Sequence, residues 1–181
     1  KWLVQRPGGR IRIWSAGCST GEEPYSLAMV LAEALEKHRG PADALILATD
    51  LSPAALADAR DGVYSLQRIE GVGEERRRRW FQRGGGTQAG KFRVHPRLQE
   101  LVRVRPLNLL EAWPMQGKFD AILCRNVVIY FDTPTKQRLF ERFDAALQPH
   151  GKLFLGHSES VNGLSDRFAL VGRTIYDKRS R

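Results

Sequence analysis

Short apolar runs alternate with longer stretches of helical periodicity along most of this chain. Residues 11–14 are apolar and β-favouring, and Tyr25, Leu27, Ala28, Val30, Leu31, Ala34 and Leu35 then recur at helical spacing. A second apolar run, 44–49, ends at Asp50, after which Ser52-Pro53 supplies an N-cap and an N1 proline for another helix. Runs at 102–105 and 119–124 read as buried parallel strands. Thr133-Pro134 opens a helix whose apolar face includes Leu139, Phe140, Phe143 and Leu147; Gly151 is expected to end it before a strand at 152–155. Finally, 168–171 and 174–177 form a hairpin about Gly172-Arg173, so the last strand runs antiparallel. This β-α-β-α order predicts an α/β fold around a mostly parallel sheet with one reversed strand.

From Gly62 to Leu101 the alternation breaks down. An arginine run, Arg76-Arg77-Arg78-Arg79, is followed by Arg83, by Gly84-Gly85-Gly86 and by a β-like Lys91-Phe92-Arg93-Val94. Glycines here suit a hairpin connection, and the segment reads as a small β-subdomain (62–101) inserted into a single domain spanning 1–181.

Composition narrows the classes. With 181 residues and 42% hydrophobic content, one domain with a full core is expected. No apolar stretch approaches the ~20 residues of a membrane helix, and no leader pattern opens the chain, so a cytoplasmic location is expected. The first residue is Lys1 rather than Met, as in a fragment of a longer protein. A net charge of +9 predicts attraction to an acidic partner, either nucleic acid or an acidic protein surface. The arginine run reads equally as a solvated helix face. Cys18, Cys124 and the four histidines match no zinc or redox spacing; no metal site is expected, and the thiols read as structural.

Candidate chemistry sits first in Ser15-Ala16-Gly17-Cys18-Ser19-Thr20-Gly21-Glu22-Glu23, between the first strand and first helix. Gly17 and Gly21 lack a Cβ that would keep a ligand from the backbone, and Thr20 with Glu23 reads as a capping-box pair that leaves free amides facing a cofactor. A P-loop needs Lys-Ser/Thr after its last glycine, but Gly21 is followed by two acids, and the G-x-G-x-x-G spacing is not met. Acids suit a cation: S-adenosylmethionine, with a sulfonium and an ammonium and no phosphate, fits best. Alternatively, Glu22 and Glu23 only favour the helix dipole. Asp50 closes the second strand where doubly wound folds place an acid for ribose hydroxyls; it also suits a cap for the turn before Ser52.

A second constellation follows the 119–124 strand, at the sheet end where open α/β folds bind ligands. Arg125, Asn126 and Tyr130 there would together grip one carboxylate, or else form a structural network under the sheet rim.

The blocks WSAGCSTGEEPYSLAM, ATDLS, NLL, FDAILCRNVVIYF and GKLFLGHSES, in this order, resemble the CheR-type chemoreceptor glutamate methyltransferases over nearly the whole chain. The resemblance implies a Rossmann-like class I methyltransferase with a seven-stranded sheet, which uses S-adenosylmethionine to esterify glutamate side chains on the cytoplasmic domain of methyl-accepting chemoreceptors. It implies cofactor contacts at Ala16, Gly17, Glu23, Asp50, Asn108, Leu109, Arg125 and Asn126. Tyr130 resembles the active-site tyrosine, with Arg125 beside it. No chemical role is implied for His157. The insertion resembles the family's β-subdomain, which in some members docks the receptor's C-terminal peptide; Arg83, Gly84, Gly90 and Arg93 fall on that surface. The family's N-terminal helical domain and its Thr-x-Phe-Phe-Arg-like connecting segment are not found before Lys1, so this chain alone is expected to bind cofactor weakly and to be inactive alone. A nucleic-acid methyltransferase, which the basic insertion would fit, and a non-catalytic module binding cofactor or receptor tail are the competing readings. Against the first, Arg125-Asn126-Val127-Val128 stands where amino-group methylation of bases commonly uses Asp/Asn-Pro-Pro-Tyr.

Overall fold

In the computed structural model, residues 10–38 and 43–179 are described. Strands β1 (Arg10–Ala16), β2 (Asp43–Asp50), β6 (Val102–Pro106), β7 (Phe119–Cys124), β8 (Leu147–Leu155), β9 (Phe168–Gly172) and β10 (Ile175–Lys178) build a seven-stranded sheet in the order β6-β2-β1-β7-β8-β10-β9. Only β10 is reversed, pairing antiparallel with both β8 and β9, as the hairpin pattern predicts. Between these lie helices α1 (Glu22–His38), α2 (Pro53–Asp61), α3 (Glu74–Trp80), α4 (Pro96–Gln99) and α5 (Thr133–Ala146). Three short strands, β3 (Val63–Ser65), β4 (Phe81–Arg83) and β5 (Lys91–Val94), make a separate antiparallel sheet in the order β3-β5-β4.

Period-two alternation along the strands sends side chains to two cores, one on each face of the sheet. Ile11, Ile13, Ile46, Ala48, Ala121 and Leu123 pack under α1 and α2 and against the small sheet. Trp14, Ala16, Ile122 and Cys124 face the other way, against Leu139, Phe140 and Phe143 of α5. Trp14 anchors that side: its ring stands edge-on to Trp113, with centroids 4.7 Å apart, and its Nε1 donates to Thr49 Oγ1 at 2.8 Å. Every polar end of this buried indole is thereby satisfied.

Three expectations need correction. Helix α5 stops at Ala146, not at Gly151, and β8 begins at Leu147. Pro149 has no N–H to continue a helix and pushes Gln148 out of the α region, so the chain extends there; Leu147 is buried on the strand instead of on the helix face. Val30 lies off the buried stripe of α1 and is exposed, while Met29 and Ala32, one turn on from Tyr25 and Ala28, complete that stripe. The capping box at α1 does not form: Thr20 Oγ1 donates to Glu22 Oε2, and Glu23 turns towards β1. By contrast, Ser52 caps α2 as its sequence predicts, accepting from Ala55 N at 3.3 Å.

Candidate active site

The carboxyl ends of β1, β2 and β7 are neighbours in the sheet, and the loops that leave them gather the acidic and basic residues singled out above. Glu23 is in the first turn of α1. Its Oε1 accepts from Ser15 Oγ at 2.8 Å and its Oε2 faces Arg125 Nη1 at 3.4 Å. Asp50, the last residue of β2, accepts from Ser19 N at 2.8 Å through Oδ2 and from Ser52 N at 3.0 Å through Oδ1. Asp50 thus caps the turn before Ser52, and a carboxylate that accepts two bonds of about four still has accepting capacity to spare.

The glycine loop is built differently from the expectation of free amides. The amides of Gly17 and Cys18 both donate to Thr49 O, at 2.8 and 2.9 Å, Ser19 N is taken by Asp50, and Gly21 N donates to Cys18 O. Nor does a ligand fill the space where the glycine Cβ atoms would stand. At Gly17 (φ +82°) that space belongs to the Val127 Cγ2 methyl, and at Gly21 (φ +97°) to the Tyr64 hydroxyl and Ala59. Left-handed backbone and close protein packing thus explain both glycines. The loop is in effect a pre-tightened rim, and its offer to a ligand is side-chain carboxylate. Arg68 crosses from the small-sheet region to bond Thr20 Oγ1 and Glu22 Oε1, which assigns Glu22 to the rim and leaves Glu23 on the crevice side.

Around the far wall, Asn108 folds into a tight turn, with Oδ1 accepting from Leu110 N and Nδ2 donating to Glu111. Leu109 follows the buried pattern: its side chain packs in the α5-side core, and its carbonyl accepts from Arg142 Nη1 at 2.6 Å and Trp113 Nε1 at 3.3 Å. Ala16 is likewise buried. Asn126 sits in the left-handed region (φ +58°), a conformation that asparagine tolerates better than most residues. Tyr130 ends a 3-10 turn, Val128–Tyr130, and is 80% exposed, its ring projecting from the rim. Cys18 and Cys124 lie beneath the site as buried thiols; burial, reinforced by Asp50, pushes Cys18 up to about 12, and burial likewise raises Cys124, so neither is a nucleophile at neutral pH.

Sequence reasoning missed Glu159. Its carboxylate is buried beneath the loop after β7, where it accepts from four main-chain amides. The signal available was an acid at the end of an otherwise Gly/Ser/His segment, directly after a buried strand.

On the small sheet, Arg83, Gly84 and Arg93 line a surface cavity of about 590 Å³ together with Lys91, Gln88 and Asp61. Gly90 is not part of that lining; it supplies the left-handed turn (φ +81°) leading into β5. The arginine run of α3 is spent largely inside the chain: Arg76 forks onto Glu33, with Nε–Oε1 2.8 Å and Nη2–Oε2 2.7 Å, Arg79 pairs with Glu36, and Arg78 with Glu74. That spending leaves little of the run as a phosphate-tracking face.

Residues 3–176 match the family described as CheR methyltransferase, SAM binding domain. The chain belongs to this family. It is 50% identical over 92% of its length to "Chemotaxis protein methyltransferase 2" of Pseudomonas aeruginosa, and 43% identical over 96% of its length to "Chemotaxis protein methyltransferase" of Escherichia coli K12. This CheR-family chain spans 59% and 60% of those two relatives. Among solved structures, it resembles the CcbJ methyltransferase from Streptomyces caelestis, with a TM-score of 0.50 at 12% identity over 81% of this chain and 44% of the other, a likeness of fold. Among the described residues, no helix is long and apolar enough to cross a membrane.

Proposed function

We propose that this CheR-family chain is the S-adenosylmethionine-binding catalytic domain of a methyltransferase that esterifies glutamate side chains of a chemoreceptor's cytoplasmic domain. The convergence of Glu23, Asp50 and Arg125 at the carboxyl ends of three adjacent strands carries this reading. The donor set fits the cofactor: two carboxylates and no phosphate-binding lysine suit a ligand with cationic and hydroxyl groups. When bound, S-adenosylmethionine supplies an electrophilic methyl group.

The remaining chemistry belongs to the chain and its substrate. A glutamate of pKa ~4.3 is already ionised at neutral pH, so no general base is needed, and the protein's work is to position the carboxylate and exclude water. Tyr130 would donate to an incoming carboxylate from outside, a role its exposure on the rim supports. Arg125, held by Glu23, lends positive charge without a full ion pair to the nucleophile, which would blunt its attack. The Arg83, Lys91 and Arg93 cluster, opposed by Asp61 alone among the described residues that line the cavity, suits an acidic peptide such as a receptor's C-terminal segment. In the small sheet, β4 is an edge strand that would pair with such a peptide by β-augmentation. A cytoplasmic location follows from this reading, since the proposed substrate is a receptor's inner domain.

The test is transfer of a labelled methyl group to a chemoreceptor cytoplasmic fragment, by the longest protein the gene encodes. Label released as methanol by mild base marks a carboxylate ester and supports the reading. Label that is base-stable, or that appears on DNA or RNA in preference to the receptor, contradicts it.

A further inference from the structure

We infer that Glu159 is a positioning residue that clamps the active-site loop after β7 from below, an assignment resting on the methyltransferase reading of that loop. The residue is 7% exposed, yet its carboxylate has no cationic partner among the described residues. Instead, Oε2 accepts from Asn126 N at 2.9 Å and Gly156 N at 2.6 Å, while Oε1 accepts from Val127 N at 2.9 Å and Ile129 N at 3.2 Å. Four converging amides stabilise a buried anion in the manner of an anion-binding nest, and the anion in turn fixes the amides.

The three loop amides belong to the residues between Arg125 and Tyr130. Asn126 has a positive φ, and Val127 must keep its methyl against Gly17 across the crevice. A loop of this shape has no strand partner for these amides, and the carboxylate takes that place. Removing it would leave several buried donors unsatisfied and free the loop to adopt other arrangements. Gly156 belongs to the same device: a Cβ there would stand 2.8 Å from Glu159 Oε2 and 2.9 Å from Asn126 N, so only glycine leaves room for the clamp. The segment linking β8 to the loop after β7 therefore sets where Arg125 and Tyr130 stand, without touching a ligand itself.

Glu159→Gln keeps the side-chain size but replaces two accepting lone-pair directions with an N–H2 that faces donors. Amide hydrogen exchange is the primary readout, because it does not depend on any activity. Asn126, Val127 and Ile129 are expected to exchange at least about tenfold faster in the variant, while the β1 and β2 amides keep their rates. S-adenosylhomocysteine affinity, measured where the variant is fully folded, is expected to fall by about tenfold through loss of pre-organisation. Gly156→Ala, with Glu159 intact, is expected to reproduce both effects. Should Glu159→Gln not fold, Glu159→Asp is read in the same way. Unchanged exchange at the three amides, or acceleration spread evenly over the sheet, would overturn the clamp. So would an unchanged ligand affinity in a variant whose loop exchanges faster. Wild-type chain that fails to bind S-adenosylhomocysteine would instead count against the methyltransferase reading, and the exchange data would still decide the clamp.

Discussion

Arg125 Nη1 lies 3.4 Å from Glu23 Oε2, joining the loop after β7 to the first turn of α1 across the mouth of the crevice. The pair is partly exposed, so its own contribution to stability is small, within about 1 kcal/mol. Its consequence is directional: Glu23 is held by Ser15 on one oxygen and by Arg125 on the other, so the carboxylate is aimed before any ligand arrives. Glu23→Gln is expected to leave the melting temperature nearly unchanged and to weaken S-adenosylhomocysteine binding by about 10- to 100-fold, as for loss of a charge-assisted hydrogen bond of about 1.5–3 kcal/mol. Calorimetric titration of the two proteins checks this.

Gly17 and Val127 make a second cross-crevice contact, this one purely steric. Alanine at 17 would overlap the Val127 methyl in a backbone conformation of φ +82°. Gly17→Ala is expected to cost about 2–4 kcal/mol, combining left-handed strain with overpacking. Val127→Ala in the same chain should restore roughly half of that loss, because it relieves the overlap but not the strain. Denaturant melts of the single and double variants measure the coupling directly.

Most of the sheet was legible in the sequence because its buried strands are apolar runs bounded by turn residues; 119–124, buried throughout, is the clearest case. Strand β3, three residues long, carries too short a pattern to read, and it forms because Val63 and Tyr64 pair with Arg93 and Phe92 of a strand nearly thirty positions on. The candidate site residues were legible as types by position, Asp50 and Arg125 at strand ends and Glu23 at the start of the first helix. Where the loop amides go was not, since Gly17 and Cys18 bond to Thr49, a residue brought beside them by the parallel pairing of β1 and β2. Glu159 was hard to single out for the same reason: three of its four partners lie about thirty residues away.

Tyr130 is set apart from the rest of the site by its exposure, and its proposed role is towards the substrate alone. Tyr130→Phe should therefore lower the turnover of methyl transfer by about tenfold or more while S-adenosylhomocysteine affinity stays within about twofold. Equal losses in both would place the ring against the cofactor instead.

Glu33 and Arg76 tie α3 onto α1, and the pair has a pH signature. The bidentate Arg76 fork, helped by Trp80 Nε1, holds the Glu33 carboxyl below its ordinary value of 4.5 in the folded chain. The unfolded chain then binds more protons near pH 4, so the stabilisation is fully present above about 4.5 and is lost as pH falls through the lower folded value. Glu33→Gln is expected to be less stable than wild type by about 0.5–1 kcal/mol at pH 7, a figure reduced by the exposure of Arg76, with the gap closing towards pH 3. Urea melts across that range follow it.

The most direct test of the central claim is S-adenosylhomocysteine binding to this chain and to its Asp50→Ala variant, measured by calorimetry. In the proposed site Asp50 offers the ribose a carboxylate already oriented by Ser19 and Ser52, so the variant is expected to bind at least about tenfold more weakly than wild type. Equal binding by the two proteins would contradict a cofactor site at the carboxyl ends of β1, β2 and β7.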